Sequence, residues 1–200
     1  RERAVQLATR GRTEIAEPGT FDPLRALTWN VSGDAKAWKA PVDDKDWNAQ
    51  DKRAALEQEI LDLRPQVIAL QECPSKEPWK NLQERYEFLG AATSHQGYIH
   101  VYALRHLRPK PLPTPAGLPA VMASIDLGTM TLSIVGVHLP YSPHAAAERK
   151  ETLARVVKEI PQESDAVVVL GDFNVYHGNE DPGLWKELGF KDAAYAGDSW

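Results

Sequence analysis

The sequence predicts an α/β protein in which two β-sheets pack face to face and helices cover the outside. Short apolar runs, Gln66–Gln71 and Ala166–Leu170, are typical of buried strands. Stretches within Asp51–Leu63 and Pro143–Ile160 place apolar residues at helical spacing. Two further β-forming runs flank the turn residues Leu127-Gly128, which predicts a hairpin. Because the connections are partly helices and partly hairpins, we expect mixed sheets in a two-layer sandwich.

The composition suits one globular domain of ordinary size. The chain has 200 residues, of which 42% are hydrophobic and 26% are charged. No apolar run approaches the roughly 18 residues that a membrane-spanning helix needs. The single cysteine, Cys73, excludes a disulfide framework within these residues and favours an intracellular compartment, the nucleus or the cytoplasm.

The net charge of −5 argues against a general nucleic-acid-binding protein held by many Lys/Arg–phosphate contacts. This charge is compatible with an enzyme that binds a few phosphates locally.

The predicted domain occupies residues 24–200, and residues 1–23 are expected to be a leader or linker. The leader is polar and arginine-rich, and it ends in the turn signals Pro18-Gly19 and Asp22-Pro23. Seven strands are predicted within the domain: Leu24–Val31, Gln66–Gln71, Tyr86–Ala92, Gly97–Leu104, Pro119–Asp126, Thr129–His138 and Ala166–Leu170. The basic, proline-rich segment Arg105–Pro115 is expected to form a loop or an edge strand, and 182–188 a short helix.

Four of the predicted strands end in polar residues that can do chemistry. Asn30 follows LTW, Glu72 follows IALQ, and His138 follows IVGV. Asp172 and Asn174 follow VVVLG. Each tip alone has an ordinary explanation as a solvated acid, a turn residue or a surface histidine. Together they supply oxygen ligands, amides and a histidine, which are the parts of a magnesium-dependent phosphodiesterase site.

The segments LTWNVSG, IALQEC, VGVHLPY and VVLGDFN, in this order, resemble the motifs of the endonuclease/exonuclease/phosphatase superfamily, with its DNase-I-like fold. GYIHVYALR resembles the family strand that often carries an active-site tyrosine, here Tyr98. The TWN start, the QE pair and HAAAERKETL are most similar to the tyrosyl-DNA phosphodiesterases that cleave 5′ linkages. AP endonucleases share the WNV start, so the subgroup is less defined than the superfamily. Within the superfamily, AP-site DNA, RNA tails, phosphoinositides and sphingomyelin stay open as substrates.

The resemblance implies a metal-dependent phosphodiester hydrolase that acts on nucleic acid. Glu72 would hold Mg²⁺ or Mn²⁺, with Asn30 beside it. Such a sparse ligand set is expected because magnesium keeps most of its waters and uses only one or two carboxylates.

The resemblance also implies roles for the other tip residues. Asp172 would orient and deprotonate the attacking water, and Asn174 would fix that water or the phosphate. His138 and Tyr98 would donate to the phosphate as negative charge builds on its oxygens.

The family pattern continues beyond GDFN to a final Asp-His or Asp-Arg motif, whose histidine binds the scissile phosphate. The sequence ends at Trp200 before such a motif, so we expect the catalytic C-terminal part to be missing. A C-terminal segment or a partner chain would then complete the fold. His144, near a helix start, and His177 are not expected to replace that histidine. The alternative function is a non-catalytic structural or interaction module in a larger assembly.

Two surface features leave both a functional and an ordinary interpretation. The basic stretch of Arg105, Arg108 and Lys110 could contact the phosphate backbone or be a solvated loop. The loop that carries Trp38 and Trp47 could stack bases or cover a core edge.

Overall fold

The computed structural model describes residues 6–8, 24–31, 49–142, 144–175 and 187–192. Within these ranges it has ten strands and two α-helices. The strands are β1 (Gln6–Ala8), β2 (Ala26–Asn30), β3 (Val67–Cys73), β4 (Tyr86–Thr93), β5 (Tyr98–Leu104), β6 (Lys110–Leu112), β7 (Ala120–Asp126), β8 (Thr131–His138), β9 (Ala166–Asp172) and β10 (Lys191–Asp192). The helices are α1 (Ala49–Leu63) and α2 (Ala146–Lys158).

The strands form two mixed sheets, as the sequence predicts. The larger sheet has the order β10-β1-β9-β8-β7-β6, and the smaller sheet has the order β2-β3-β5-β4. Each sheet contains one parallel pair, β8 with β9 and β2 with β3, and its other pairs are antiparallel. Each parallel pair is joined through a helix, because parallel strands need a crossover.

The main core lies between the two sheets. Alternate residues of β5, such as Ile99 and Val101, meet Ile134 and Val168 of the larger sheet in one buried cluster. The layers approach so closely that a Cβ atom on Gly136 of β8 would lie 2.4 Å from Val101 Cγ2. Glycine at this position therefore sets the spacing of the two layers.

The two helices cover the outer faces of the sheets. Ile60 of α1 packs with Ile68 and Leu70 of the smaller sheet. Leu153 and Val156 of α2 pack against the valines of β8 and β9. The two-layer α/β sandwich with flanking helices is therefore confirmed.

Several element boundaries differ from the sequence expectation. The strands β3 and β9 run two residues further than predicted, so that Glu72 and Asp172 belong to them. Helix α2 begins at Ala146, and its N-cap is Ala145 without a side-chain hydrogen bond, so His144 does not cap it. The predicted helix at 182–188, the tryptophan loop and His177 lie largely or wholly outside the described residues.

The predicted boundary between leader and domain stays a prediction. Of residues 1–23, the structure describes only Gln6–Ala8, and these residues pair with Val167–Val169 of β9 and with β10. That short segment is therefore part of the larger sheet.

A buried histidine ties the segment after β3 to β5. His100 Nε2 donates to the carbonyl oxygen of Ser75 (2.7 Å), and Nδ1 accepts from the Tyr102 hydroxyl (3.1 Å). The same hydroxyl oxygen accepts the backbone N–H of Trp79 (3.0 Å). Burial lowers the pKa of His100 to about 4, so the imidazole is neutral at neutral pH, with its proton on the nitrogen that faces the Ser75 carbonyl oxygen.

We predict that the protein loses stability when the pH falls from about 6.5 to about 4. An unfolded histidine has a pKa of about 6.5, so in this window the unfolded chain binds the extra proton and the free energy of unfolding decreases, by up to about 3 kcal/mol. Urea unfolding at several pH values measures this slope. His100→Gln, which keeps a donor and an acceptor, should flatten it, whereas the exposed control His106→Gln should not. Equal slopes for all three proteins would contradict the assignment.

Candidate active site

The tips of four strands meet at one end of the sandwich. In the parallel pairs, Asn30 lies beside Gln71, and His138 lies beside Asp172. Parallel strands end at the same edge of a sheet, so each sheet presents two tips together. Because β2 and β3 pack against β9 and β8 across the core, the tips of the two layers face each other.

The Asn30 side chain joins the two layers at this point. Its Nδ2 donates to Glu72 Oε1 (2.7 Å) within the smaller sheet and to Asp172 Oδ2 (3.0 Å) in the larger one. An amide nitrogen has two hydrogens, and each serves one carboxylate. The flipped amide would direct its oxygen at two carboxylates, so the contacts also define its orientation. Its oxygen is then the atom that can ligate a cation.

A β-bulge directs Glu72 into the site. The pairing of β3 with β5 shifts register between Leu70 and Cys73, and Glu72 has a φ of +60°. Gly97 opposite the bulge permits the close approach, since a Cβ atom there would lie 2.6 Å from the Cys73 carbonyl oxygen. A non-glycine residue at positive φ is uncommon and marks a position that the surrounding structure holds under strain.

His138 lies buried at the end of β8 and faces Glu72. Its Nε2 is 3.9 Å from Glu72 Oε1, and its Nδ1 is 3.0 Å from Ser94 Oγ in the turn between β4 and β5. The imidazole ring also contacts the His95 ring, with ring centres 4.7 Å apart. The ring is thus held from one side while Nε2 is directed toward the carboxylate.

Asp172 and Asn174 form a rigid tip at the end of β9. The Asn174 N–H donates to Asp172 Oδ1 (2.9 Å), and Asn174 Nδ2 donates to the carbonyl oxygen of Leu139 (2.9 Å). Asn174 has a φ of +50°, a conformation that asparagine tolerates better than most residues. Asp172 therefore receives a separate donor on each oxygen, which fixes the plane of its carboxylate.

Tyr98 lies next to the Glu72 bulge, at the same end of the sandwich as the other predicted site residues. It begins β5 opposite Cys73, and its ring packs against the cluster on the outer face of the smaller sheet. No hydrogen bond among the described residues joins it to the five-residue group of Asn30, Glu72, His138, Asp172 and Asn174.

Sequence reasoning missed three residues that surround this group. Ser94 and His95 hold the His138 ring, and His95 Nε2 also accepts the backbone N–H of Tyr141 (3.2 Å). Arg149 of α2 donates to the segment that follows His138. Ser94 and His95 carry no local signal, because their contacts are made across the fold. Arg149 contacts residues only seven and nine positions away, but nothing in the helical pattern marks it as buried.

The basic stretch lies away from the site. The site is at the start of β5, whereas Arg105 follows the end of this strand. Its guanidinium group is already bound to Glu87 (2.7 Å) and to the Gln83 carbonyl oxygen. The interpretation of this stretch as a phosphate contact near the site is therefore wrong for Arg105.

The donor set fits a hard divalent cation. Within the described ranges no group of three His, Cys, Asp or Glu residues is arranged to hold a metal ion unaided. Zinc would require three or four protein ligands, mostly histidine or cysteine. Mg²⁺ needs only one or two carboxylates, with water and substrate oxygens filling the other positions. Glu72, whose side chain is 16% exposed, and the Asn30 amide oxygen match that need.

The comparisons establish the class of this protein. The model of the endonuclease/exonuclease/phosphatase family matches residues 27–200, and the chain therefore belongs to this family. No curated protein sequence matches significantly. No helix among the described residues is both long and apolar enough to cross a membrane.

Solved structures of the DNase-I-like fold resemble the chain. They include D. rerio TDP2 complexed with a single-strand DNA product (TM-score 0.54, 18% identity, covering 83% of this chain and 64% of that one). The human Nocturnin catalytic domain with bound sulfate has a TM-score of 0.57 and 16% identity, covering 82% of this chain and 68% of that one. ANGEL2, a 2′,3′-cyclic phosphatase, has a TM-score of 0.54 and 16% identity, covering 78% and 54%. At these identities the likeness shows the fold alone, and the chain spans 64% of the TDP2 structure.

We predict that Gly171→Ala strongly destabilises the protein. Gly171 pairs with Val137, and a Cβ atom there would lie 2.0 Å from the Val137 carbonyl oxygen, so the strands would have to separate beside the site. Overpacking of this kind costs about 3 kcal/mol. Gly128→Ala is the control, because that glycine also has a positive φ but faces open space, and its cost should be about 1 kcal/mol. Similar losses in urea unfolding would contradict the close approach.

We predict that Asn30→Asp destabilises the protein more than Asn30→Ala. The alanine variant loses two hydrogen bonds to carboxylates, at about 2–3 kcal/mol, and the aspartate variant adds a third negative charge beside them. Thr28→Val is the control, since it removes a hydrogen bond from the same strand without altering the charge near the carboxylates. The free energy of unfolding at neutral pH measures the difference. An Asn30→Asp variant as stable as the wild type would mean that the amide does not bridge the carboxylates.

Proposed function

We propose that the protein is a metal-dependent phosphodiester hydrolase that acts on nucleic acid, with DNA carrying a 5′-tyrosyl adduct as the first candidate substrate. The observation that supports this most strongly is the Asn30 amide, which binds Glu72 and Asp172 from opposite sheets. Packing alone gives no reason to place two carboxylates and a buried histidine at strand tips, because such groups lose hydration there.

The structural neighbours support a phosphate ester as substrate. One is complexed with a single-strand DNA product, one has bound sulfate, and one is described as a 2′,3′-cyclic phosphatase. Because the chain spans only part of these proteins, the choice among DNA, RNA and smaller phosphate esters belongs to this proposal.

Glu72 and the Asn30 amide oxygen would hold Mg²⁺ or Mn²⁺. When bound, the ion would stabilise the negative charge that builds on the phosphate oxygens. Asn30 also keeps the two carboxylates at a fixed separation through its two donors. It would therefore preserve the geometry before substrate arrives, which is the main protein contribution to phosphoryl transfer.

Asp172 would accept a proton from the attacking water. Its carboxylate plane is fixed by Asn30 and by the Asn174 N–H, so the lone pairs point in defined directions. Asn174 would orient the water or the phosphate. His138 would donate from Nε2 to a phosphate oxygen, and Tyr98 stays a predicted donor at the start of β5.

We also propose bounds for the domain and a location in the cell. Residues 24–200 would form the family domain, and the family model matches residues 27–200 of it. The single cysteine, buried Cys73, supports an intracellular location in the nucleus or cytoplasm.

We predict that Glu72→Gln and Asp172→Asn each lower phosphodiester hydrolysis by about 10²- to 10⁴-fold in the natural protein that carries these residues. Glu72→Gln weakens the hold on the cation, and Asp172→Asn removes the base. Glu87→Gln is the control, because Glu87 pairs with Arg105 at the opposite end of the sheet. The assay is cleavage of 5′-tyrosyl and unmodified oligonucleotides with Mg²⁺, and with EDTA. Absence of cation-dependent cleavage in the wild type would favour the non-catalytic module instead.

A further inference from the structure

An exposed tyrosine stands at the rim of the site. Three large hydrophobic side chains are exposed among the described residues: Leu63, Tyr141 and Val175. Leu63 ends α1, at the end of the sandwich where β3 begins. Tyr141 and Val175 lie in the segments that follow β8 and β9, beside His138 and Asn174. Tyr141 is 59% exposed, which is the largest fraction of the three.

The backbone around Tyr141 is held from behind by a buried arginine. Arg149 Nη1 donates to the carbonyl oxygens of Pro140 (2.9 Å) and Ser142 (2.7 Å), and Arg149 is 1% exposed. Burying a guanidinium group is costly unless it makes such hydrogen bonds. The segment on both sides of Tyr141 is thus fixed to α2.

The same segment is held from the front by His95. The Tyr141 N–H donates to His95 Nε2, and the His95 ring lies against the His138 ring. Three backbone groups of consecutive residues are therefore fixed, while the Tyr141 side chain is left largely in solvent. The Tyr141 backbone is therefore connected, through His95, to the imidazole that faces Glu72.

We propose that Tyr141 is a stacking platform for an unpaired nucleobase next to the scissile phosphate. This inference rests on the proposed function of the site. A tyrosine held rigidly by its backbone loses little entropy when a base stacks on it. Stacking tolerates any base because every base has a π-face, which suits an enzyme without sequence preference.

Other occupants fit the surroundings less well. A lipid headgroup has no flat aromatic face that could stack on the tyrosine ring. One aromatic ring with a half-exposed valine is far smaller than the apolar patches that bind proteins. A flat base beside a phosphate matches both the ring and its position.

The test measures binding of a single-stranded DNA oligonucleotide that carries 2-aminopurine at its 5′ nucleotide, in EDTA so that no metal-dependent cleavage occurs. Stacking quenches 2-aminopurine fluorescence and contributes to affinity. Tyr141→Ala should raise Kd by about 5- to 100-fold and remove the quenching. Tyr141→Phe should keep both within about two-fold, because the ring is retained. Leu63→Ala is the control, since it removes another exposed hydrophobic side chain, one that lies far from the site.

A second oligonucleotide with an abasic 5′ nucleotide isolates the base. Wild type and Tyr141→Ala should bind it equally, since no base is present to stack. The inference would be overturned if Tyr141→Ala bound both oligonucleotides more weakly than the wild type by the same factor. It would also be overturned if the wild type bound neither oligonucleotide.

A cleavage assay separates this inference from the proposed function. Cation-dependent hydrolysis that is indifferent to Tyr141 would leave the proposed function intact and remove only the stacking role. Base-dependent binding without any hydrolysis would support the stacking role and contradict the proposed function.

Discussion

The fold depends at its functional end on one hydrogen-bonding group, the amide nitrogen of Asn30. Glu72 and Asp172 come from different sheets, and two carboxylates brought together repel each other unless a donor or a cation lies between them. The two hydrogens of the amide meet that need before any ligand is present. Asn30 therefore does two things at once: it joins the two layers at their tips, and it sets the spacing of the two acidic groups.

Much of the surrounding structure serves to bring these groups into reach. The bulge turns Glu72 away from the regular strand, and Gly97 makes room for it. Gly171 permits β9 to approach β8, so that His138 and Asp172 lie side by side. Asn174 adopts a left-handed conformation that closes the tip. Unfavourable backbone conformations of this kind concentrate where function requires a fixed geometry, and the close-packed layers hold them.

The chemistry of the site could be predicted from the sequence more fully than its geometry. Asn30, Glu72, His138, Asp172 and Asn174 each follow an apolar run, and the parallel pairing of such runs brings their ends together. The bulge at Glu72 could not be predicted, because Gln71 and Glu72 carry no turn residue that marks it.

The contacts of Ser94 and His95 could not be predicted either, because each joins segments far apart in the chain. The contacts of Arg149 are closer in sequence, but they depend on how helix α2 lies against the segment before it. The orientation of Tyr98 depends on the register of β5 against the bulged β3, which the alternating pattern of its residues does not define. Hydrophobic periodicity in the sequence therefore predicts the fold class. The residues that surround the site are positioned by tertiary contacts, which the sequence pattern does not show.

The most direct measurement is an anomalous diffraction map of crystals of the natural protein soaked in Mn²⁺. The account predicts one strong peak at the Glu72 carboxylate, beside the Asn30 amide oxygen, with Asp172 facing the same space. A peak elsewhere with Glu72 left empty, or electron density that places Glu72 and Asp172 out of reach of one amide, would contradict it.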